Sequence, residues 1–332
     1  MRPLLIAAVL FLTSCGEDGP TVTEKTWHLL GERRPSSLLA TWATGIDNVW
    51  VVGGREAAGA GPTVLHYDGA AWAKLDSGQI NVDLWQVFGF ADGTVFLGGS
   101  NGTILRYRNG TFEKLPTPSP DIVFGLWGSS SNDVWAVGGQ TTGRGFVWRF
   151  QGTAFEVVSG VPAELANGTV WKVTGRAAND VWMSCSRGLV LHWDGQTLAN
   201  ERIGGMEESL FSIGCQATRC VTAGTNITNG VLYQNDGQGW ASKVPTQDGP
   251  VWRGVTPTGE HTYVVGMLGS VLRLTTDGAW VSDPHGLTTE ALHAVWTDAD
   301  GNLFAVGGKF DRALTIDGVL LYTGKTEVPP LP

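Results

Sequence analysis

The hydrophobic positions of this chain fall into one recurring phrase. An apolar stretch leads to a tight turn, then to an aliphatic-aromatic run ending in Gly, a short strand-like segment, an Asp-Gly turn and an aromatic residue. The clearest copy of the central run is DVWAVGG at Asp133–Gly139, and related runs start at Asn48, Thr94, Asp180, Cys220, Thr262 and Leu303. Aligned on a common position, the copies fall at Gly53, Gly99, Gly138, Cys185, Gly224, Gly266 and Gly307, with spacings of 46, 39, 47, 39, 42 and 41 residues. A strand-rich period of roughly 42 residues predicts a β-propeller with one four-stranded blade per repeat, here an all-β, seven-bladed ring.

Each repeat reads as strands a to d, from the channel outward. In the first, strand a is Leu38–Thr44, b is Val49–Gly53, c is Val64–Tyr67 and d is Ala71–Leu75. Asp68-Gly69 supplies the positive backbone angles of a c–d hairpin, and the turn recurs as Asn109-Gly110, Asp194-Gly195, Asp236-Gly237 and Asp277-Gly278. The inner triplets begin near Leu38, Val82, Val123, Thr169, Ser209, Val251 and Ala291. Only six outer strands follow them. The seventh is expected at the N-terminus, where Thr26–Leu30 (TWHLL) matches Ala71–Leu75 (AWAKL), and it should pair with Val319–Tyr322 and close the ring. The competing donor is the C-terminal TEVPPLP, whose prolines make it poor strand material.

All fifteen tryptophans fall on predicted strands. On strand a, Trp85, Trp171 and Trp252 stand ten residues before strand b, whereas Trp42, Trp127 and Trp296 stand seven before it. An odd offset of three puts the two sets on opposite faces. Both faces of a blade are covered by neighbours, so the expectation is inter-blade core; the alternative is an aromatic sugar-binding surface.

The first residues break the pattern. Arg2, the apolar Leu4–Leu12 and then Leu12-Thr13-Ser14-Cys15 read as an export signal over residues 1–14, with Cys15 as the lipid-bearing first residue of the mature chain. A plain secretory signal or a short membrane anchor is the alternative. Residues 15–25 form a tether and 26–332 the propeller. With 22 basic and 31 acidic residues the net charge is −9, and removal of Arg2 makes it −10. There is no basic run, which argues against nucleic acid as a partner.

Cys215 and Cys220 flank a four-residue turn in blade five and are expected to form a disulfide in an exported protein; a metal pair is the weaker alternative. Cys185 reads as a small buried residue. His66 and His192 occupy equivalent strand-c positions. His293 stands out, because it takes the inner-strand position held elsewhere by Leu39, Trp85, Phe124, Trp171 and Trp252. It is either a ligand- or proton-binding residue near the channel or a hydrogen-bonded core residue. Asp47, Asp133, Asp180 and Asp298 or Asp300 fall in a–b turns, where short side chains cap turn amides without a metal. No nucleophile elbow, zinc-binding helix motif or phosphate loop occurs, and no motif calls for a cofactor.

Specificity is expected in the variable segments. The b–c loops share one rim with the d–a connections, and Arg55, Arg144, Lys309, Phe310 and Arg312 give that rim cationic and aromatic character on an acidic protein. Arg and aromatic residues commonly anchor interfaces; solvated loops are the bland alternative.

The pattern GSSSNDVWAVGG, followed by VLHWDG or VLHYDGAAW, resembles the propeller-repeat lipoproteins and secreted proteins of predatory and social deltaproteobacteria, and it is similar to tectonin and tachylectin repeats. The resemblance covers residues 26–332. It implies the propeller fold and, on the tectonin side, binding of lipopolysaccharide or other glycans, although those relatives often have six blades. The leading expectation is a non-catalytic, membrane-anchored scaffold holding an envelope protein or a surface glycan. A lectin is the second reading, and a glycosidase or lyase at the channel mouth near His293 the third.

Overall fold

The computed structural model describes residues 26–139, 144–243, 249–258, 261–310 and 315–332. Residues 1–25, where the export signal, Cys15 and the tether are expected, and Arg312 lie outside the described residues. Seven four-stranded antiparallel sheets are arranged as the blades of a propeller. Their inner strands are Leu38–Gly45, Leu84–Gly89, Ile122–Ser130, Val170–Ala177, Ser209–Gln216, Trp252–Thr258 and Leu292–Thr297. All fifteen tryptophans lie on strands.

The second strand of each blade is covered on both faces, which is why it reads as a continuous apolar run and not as an alternation. In blade three, Val134 to Gly139 are all buried. The core is divided into seven clusters, one per blade interface. The largest joins the last blade to the first, with thirteen buried residues that include Leu38, Val49, Tyr67, Trp72, Phe304 and Tyr322. The seam between blades four and five has four: Val190, Leu210, Ile213 and Val231.

Ring closure follows the N-terminal reading. Trp27–Arg34 pairs antiparallel with Thr315–Thr323, with Trp27 opposite Thr323, His28 opposite Tyr322 and Leu29 opposite Leu321. The C-terminal tail adds no strand; it packs across the same seam. Val328 is buried in the cluster between the last and first blades. The Trp72 indole N–H donates to the Pro329 carbonyl (3.0 Å) and Leu331 N–H donates to the Leu30 carbonyl (2.7 Å).

A polar device repeats along strand b. Asn48 accepts from the Trp50 indole (3.2 Å) and bonds His66 Nε2 (2.8 Å), while His66 stacks on Trp50 with centroids 4.4 Å apart. In blade four, Asp180, Trp182 and His192 make the same trio, with a 3.9 Å stack. Blade three substitutes Arg149, which bonds Asp133 (2.7 Å) and lies 4.8 Å above Trp135. The His66 and His192 positions are therefore structural. Cys215 and Cys220 face each other across the hairpin and form a disulfide with Cα atoms 4.1 Å apart, which fits an oxidising, exported setting. Cys185 is a buried free thiol whose pKa is raised by desolvation.

The anchor glycines have a steric cause. A Cβ on Gly138 would lie 1.9 Å from the Ile122 carbonyl oxygen, and one on Gly307 1.9 Å from that of Ala291. The anchor and the start of strand a approach too closely for a side chain, and the obstructing atom is backbone. Nothing in the structure explains how blade four accommodates Cys185 at the equivalent place. Gly138→Ala is expected to destabilise the protein by about 2–4 kcal/mol, read as a lowered denaturation midpoint in urea with an unchanged slope.

Candidate functional site

The inner strands share one irregularity. In every blade the ladder between strands a and b skips a residue one step after the anchor pair, so two residues of the inner strand oppose one step of its partner. The skipped residues are Leu39, Trp85, Phe124, Trp171, Phe211, Arg253 and His293. A bulge turns its extra side chain away from the blade's own faces, and in these strands the remaining direction is the propeller axis. The seven bulge residues accordingly ring the channel beside the rim of d–a connections, around a cavity of about 230 Å3 that they line together with Lys172.

The ring is mostly aromatic and continuous. Phe124 meets Trp85 at 5.3 Å and Trp171 at 5.0 Å, and Trp171 meets Phe211 at 5.2 Å. The Arg253 guanidinium then lies 4.5 Å over the Phe211 ring. His293 and Leu39 complete the circle. His293 is buried and its Nε2–H donates to the Gly308 carbonyl (3.0 Å). Desolvation, reinforced by the like charges of Arg253 and Lys172, holds its pKa down at about 3, so the imidazole is neutral.

One residue further along strand a the side chains are small at five of seven positions: Ala40, Gly125, Ser212, Gly254 and Ala294. The other two are Gln86 and Lys172, and the Lys172 ammonium donates to the Gln86 side-chain carbonyl from two blades away. Gly125 of the intervening blade leaves room for this, since a Cβ there would lie 3.0 Å from the Lys172 Cα. Lys172 is enclosed by protein although solvent in the channel reaches it, and desolvation brings its pKa down to about 7. Lys172 and His293 border both the mouth cavity and a second cavity of about 300 Å3 toward the a–b turns. Trp42, Trp127 and Trp296 line that lower cavity.

Two sequence expectations are corrected by this geometry. The strand-a tryptophans are not all inter-blade core. Trp85 and Trp171 face the channel mouth, whereas Trp42, Trp127 and Trp296 pack against the inter-blade clusters as expected and also border the lower cavity, and Trp252 is buried between blades. Nor is Trp252 the counterpart of His293. That counterpart is Arg253, with Phe211 in blade five. In blades one, three and four a second bulge beside the a–b turn adds a residue, as between Ala43 and Gly45. Blades two and seven lack it as well but have longer a–b turns, after the pairs Gly89–Val95 and Thr297–Leu303. Blades five and six have neither, pairing Gln216 with Arg219 and Thr258 with His261, so a constant offset from the anchor lands one residue early there.

Arg55, Lys309 and Phe310 lie at the ends of b strands and not in loops, and b–c segments bond to d–a connections across blades. Arg55 ends its strand paired to Asp83 of the next connection (3.0 Å), with its backbone N–H on the same carboxylate (2.9 Å). Arg144 is exposed, with a positive φ of 105°, and its N–H donates to the Gly168 carbonyl (2.9 Å). Lys309 bridges Asp317 (2.8 Å) and Glu290 (3.2 Å), which raise its pKa. Phe310 ends the strand Leu303–Phe310. The charges of Arg55 and Lys309 are thus met locally by carboxylates and not gathered with His293 in the channel. Sequence reasoning missed Lys172, Arg253 and Phe211; Lys172 is the only Lys or Arg in its register position, a signal that a bulge-corrected alignment would have exposed. Among the described residues, no three His, Cys, Asp or Glu side chains gather as a metal site.

No family model matches the chain, and no curated protein matches it in sequence. Many solved structures share its fold. Virginiamycin B lyase from Staphylococcus aureus superposes with a TM-score of 0.72 at 12% identity, covering 90% of this chain and 99% of the lyase. YCF48 from Cyanidioschyzon merolae gives 0.66 at 16% identity over 90% and 99%, and YCF48 bound to D1 peptide gives 0.66 at 15% over 92% and 99%. At these identities the likeness establishes the architecture, and the chain stands as a seven-bladed β-propeller.

Proposed function

We propose that the protein is a non-catalytic, lipid-anchored propeller that holds a protein partner of the bacterial envelope on the rim of b–c loops and d–a connections. The observation that carries this reading is that the rim is one stitched, unequal surface. Gly59 N–H donates to Asn81 (2.8 Å), Arg144 N–H to Gly168 (2.9 Å), and Lys309 at the end of its strand pairs with Glu290 (3.2 Å), each joining a b–c segment to a neighbouring connection. A lectin of repeated sites would instead offer like pockets between successive blades. The groove between blades three and four is lined by Trp135, Arg149, Glu156 and Trp193, and that between blades six and seven by Glu32, Arg33, Glu290 and Lys309. The YCF48 structure with a D1 peptide offers a precedent for peptide recognition on this fold, as the lyases do for chemistry. Chemistry is the weaker reading here, because the described lining of the channel holds no carboxylate to work with His293.

Lipidation at Cys15 would leave about ten residues before the first strand, a reach of roughly 35 Å, and would keep the rim's partner close to the membrane. Gly16 after the lipid-bearing Cys favours the outer membrane by resemblance to enteric sorting. A brief crosslink of the tagged, lipidated protein in its native envelope should recover a stoichiometric protein partner, reduced at least about tenfold by Arg144→Glu at the rim. Recovery of polysaccharide or lipopolysaccharide without such a protein would replace this reading with the lectin one.

A further inference from the structure

The channel is electrostatically opposite to the protein that encloses it. The chain carries 31 acidic and 22 basic residues. Among the described residues, the lining of both channel cavities includes Lys172, Arg253 and His293 and not one Asp or Glu. The two cations have no counter-ion among the described residues. Lys172 donates to a neutral amide, and Arg253 lies over an aromatic face with its Nε buried and without a hydrogen-bond partner. Enclosed like charges without a counter-ion oppose folding, and such arrangements concentrate at functional sites, where a ligand supplies the missing charge. The other half of the mouth is apolar: Leu39, Trp85, Phe124, Trp171 and Phe211. A cavity of about 230 Å3 inside a single ring of side chains admits the end of a chain and not a folded surface.

We propose that a free carboxy-terminus ending in an apolar residue enters this mouth from the protein partner held on the rim, with its carboxylate between Lys172 and Arg253 and its last side chain on the arc from Trp85 to Phe211. The planar guanidinium suits a carboxylate, and the aromatic arc suits an aliphatic or aromatic side chain. The inference rests on the protein-binding reading and specifies which part of the partner is recognised. Proton linkage supports it. His293 stays neutral and Arg253 charged across the neutral range, so Lys172 is the charged group facing the site that titrates there. An arriving carboxylate favours protonated Lys172, so affinity should fall about tenfold between pH 6 and pH 8.

The test uses the full-length lipidated protein in detergent micelles. The probes are hexapeptide pools randomised at the first four positions and ending in Leu, Val or Phe, prepared as free acids and as carboxamides, with decanoate as a fatty-acid comparator. Binding is read by calorimetry and by the fluorescence of the mouth tryptophans. The expected result is binding of the free acids, at least tenfold weaker binding of the amides, and at least tenfold loss in both Lys172→Gln and Arg253→Gln. Equal binding of acid and amide, no acid binding at millimolar peptide, or binding of decanoate alone would overturn the proposal. The acid–amide comparison is made on the unaltered protein, so it does not depend on a variant that folds. Envelope crosslinking separates the two readings. A partner lost with Arg144→Glu but kept by Lys172→Gln and Arg253→Gln leaves the rim reading standing and removes the channel one; no protein partner at all removes the rim reading whatever the peptides do.

Discussion

Lys172→Met is expected to make the propeller more stable at pH 7, by about 2–4 kcal/mol, which for a chain of this size is several degrees or more in Tm. The folded protein holds the Lys172 pKa at about 7, well below the ordinary lysine value of 10.5, through desolvation. The unfolded chain therefore binds a proton over a range of pH in which the folded one does not. The resulting penalty is fully present below pH 7, declines as pH rises and vanishes above the unfolded value. Unaltered protein should gain stability between pH 7 and pH 10, and the Met variant should not, since Met has similar length and carries no charge. Both should lose stability from about pH 6.5 down to about pH 3, where His293 is protonated in the unfolded state and neutral in the folded one. Denaturant unfolding across this range measures all three slopes. A Met variant less stable than its parent at pH 7 would make Lys172 a structural post bonded to Gln86 and not a charge retained for a ligand.

Deleting Thr26–Arg34 is the more drastic change. It removes the outer strand of the last blade, takes Trp27 and Leu30 from the core and leaves Thr315–Thr323 as an open edge. Two large apolar side chains are worth about 3–6 kcal/mol, close to the whole stability of many domains, and the ladder is lost as well. The shortened protein is expected to aggregate through the open edge. A synthetic peptide spanning 26–34, added during refolding, should restore a monodisperse species by light scattering. Removing Val328–Pro332 should cost much less, about 1–3 kcal/mol, because it takes away one buried side chain and two hydrogen bonds. A well-behaved monomer after the first deletion would mean that the ring does not depend on its closing strand.

The repeat, the blade limits and the closing strand were legible because each is set by a local rule repeated seven times. An anchor glycine beside a carbonyl, a doubly covered middle strand and an Asp-Gly turn all leave fixed sequence signatures. The same regularity made Trp27 visible as the displaced partner of Trp72. The ring around the channel was half legible. His293, Leu39, Trp85, Phe124 and Trp171 were grouped correctly by counting from the anchor, and Phe211 and Arg253 were lost because their blades combine a single bulge with a tight a–b turn, where the other blades have a second bulge or a longer turn. Lys172 was legible only as a lone basic residue in its register position, and its role was hidden for another reason. Its significance lies in the lack of carboxylates among the described residues of the channel lining, which is a property of seven blades together, not of any one segment.

The bulge that every inner strand shares gives each blade one side chain that belongs to no inter-blade cluster. Leu, Trp, Phe, Trp, Phe, Arg and His occupy it while the flanking anchor pairs keep the same register. The ring thus behaves as a seven-letter field that mutation can rewrite one letter at a time, with the load-carrying interfaces left untouched. New binding preferences can arise at this mouth by single substitutions, without an intermediate that has lost its fold.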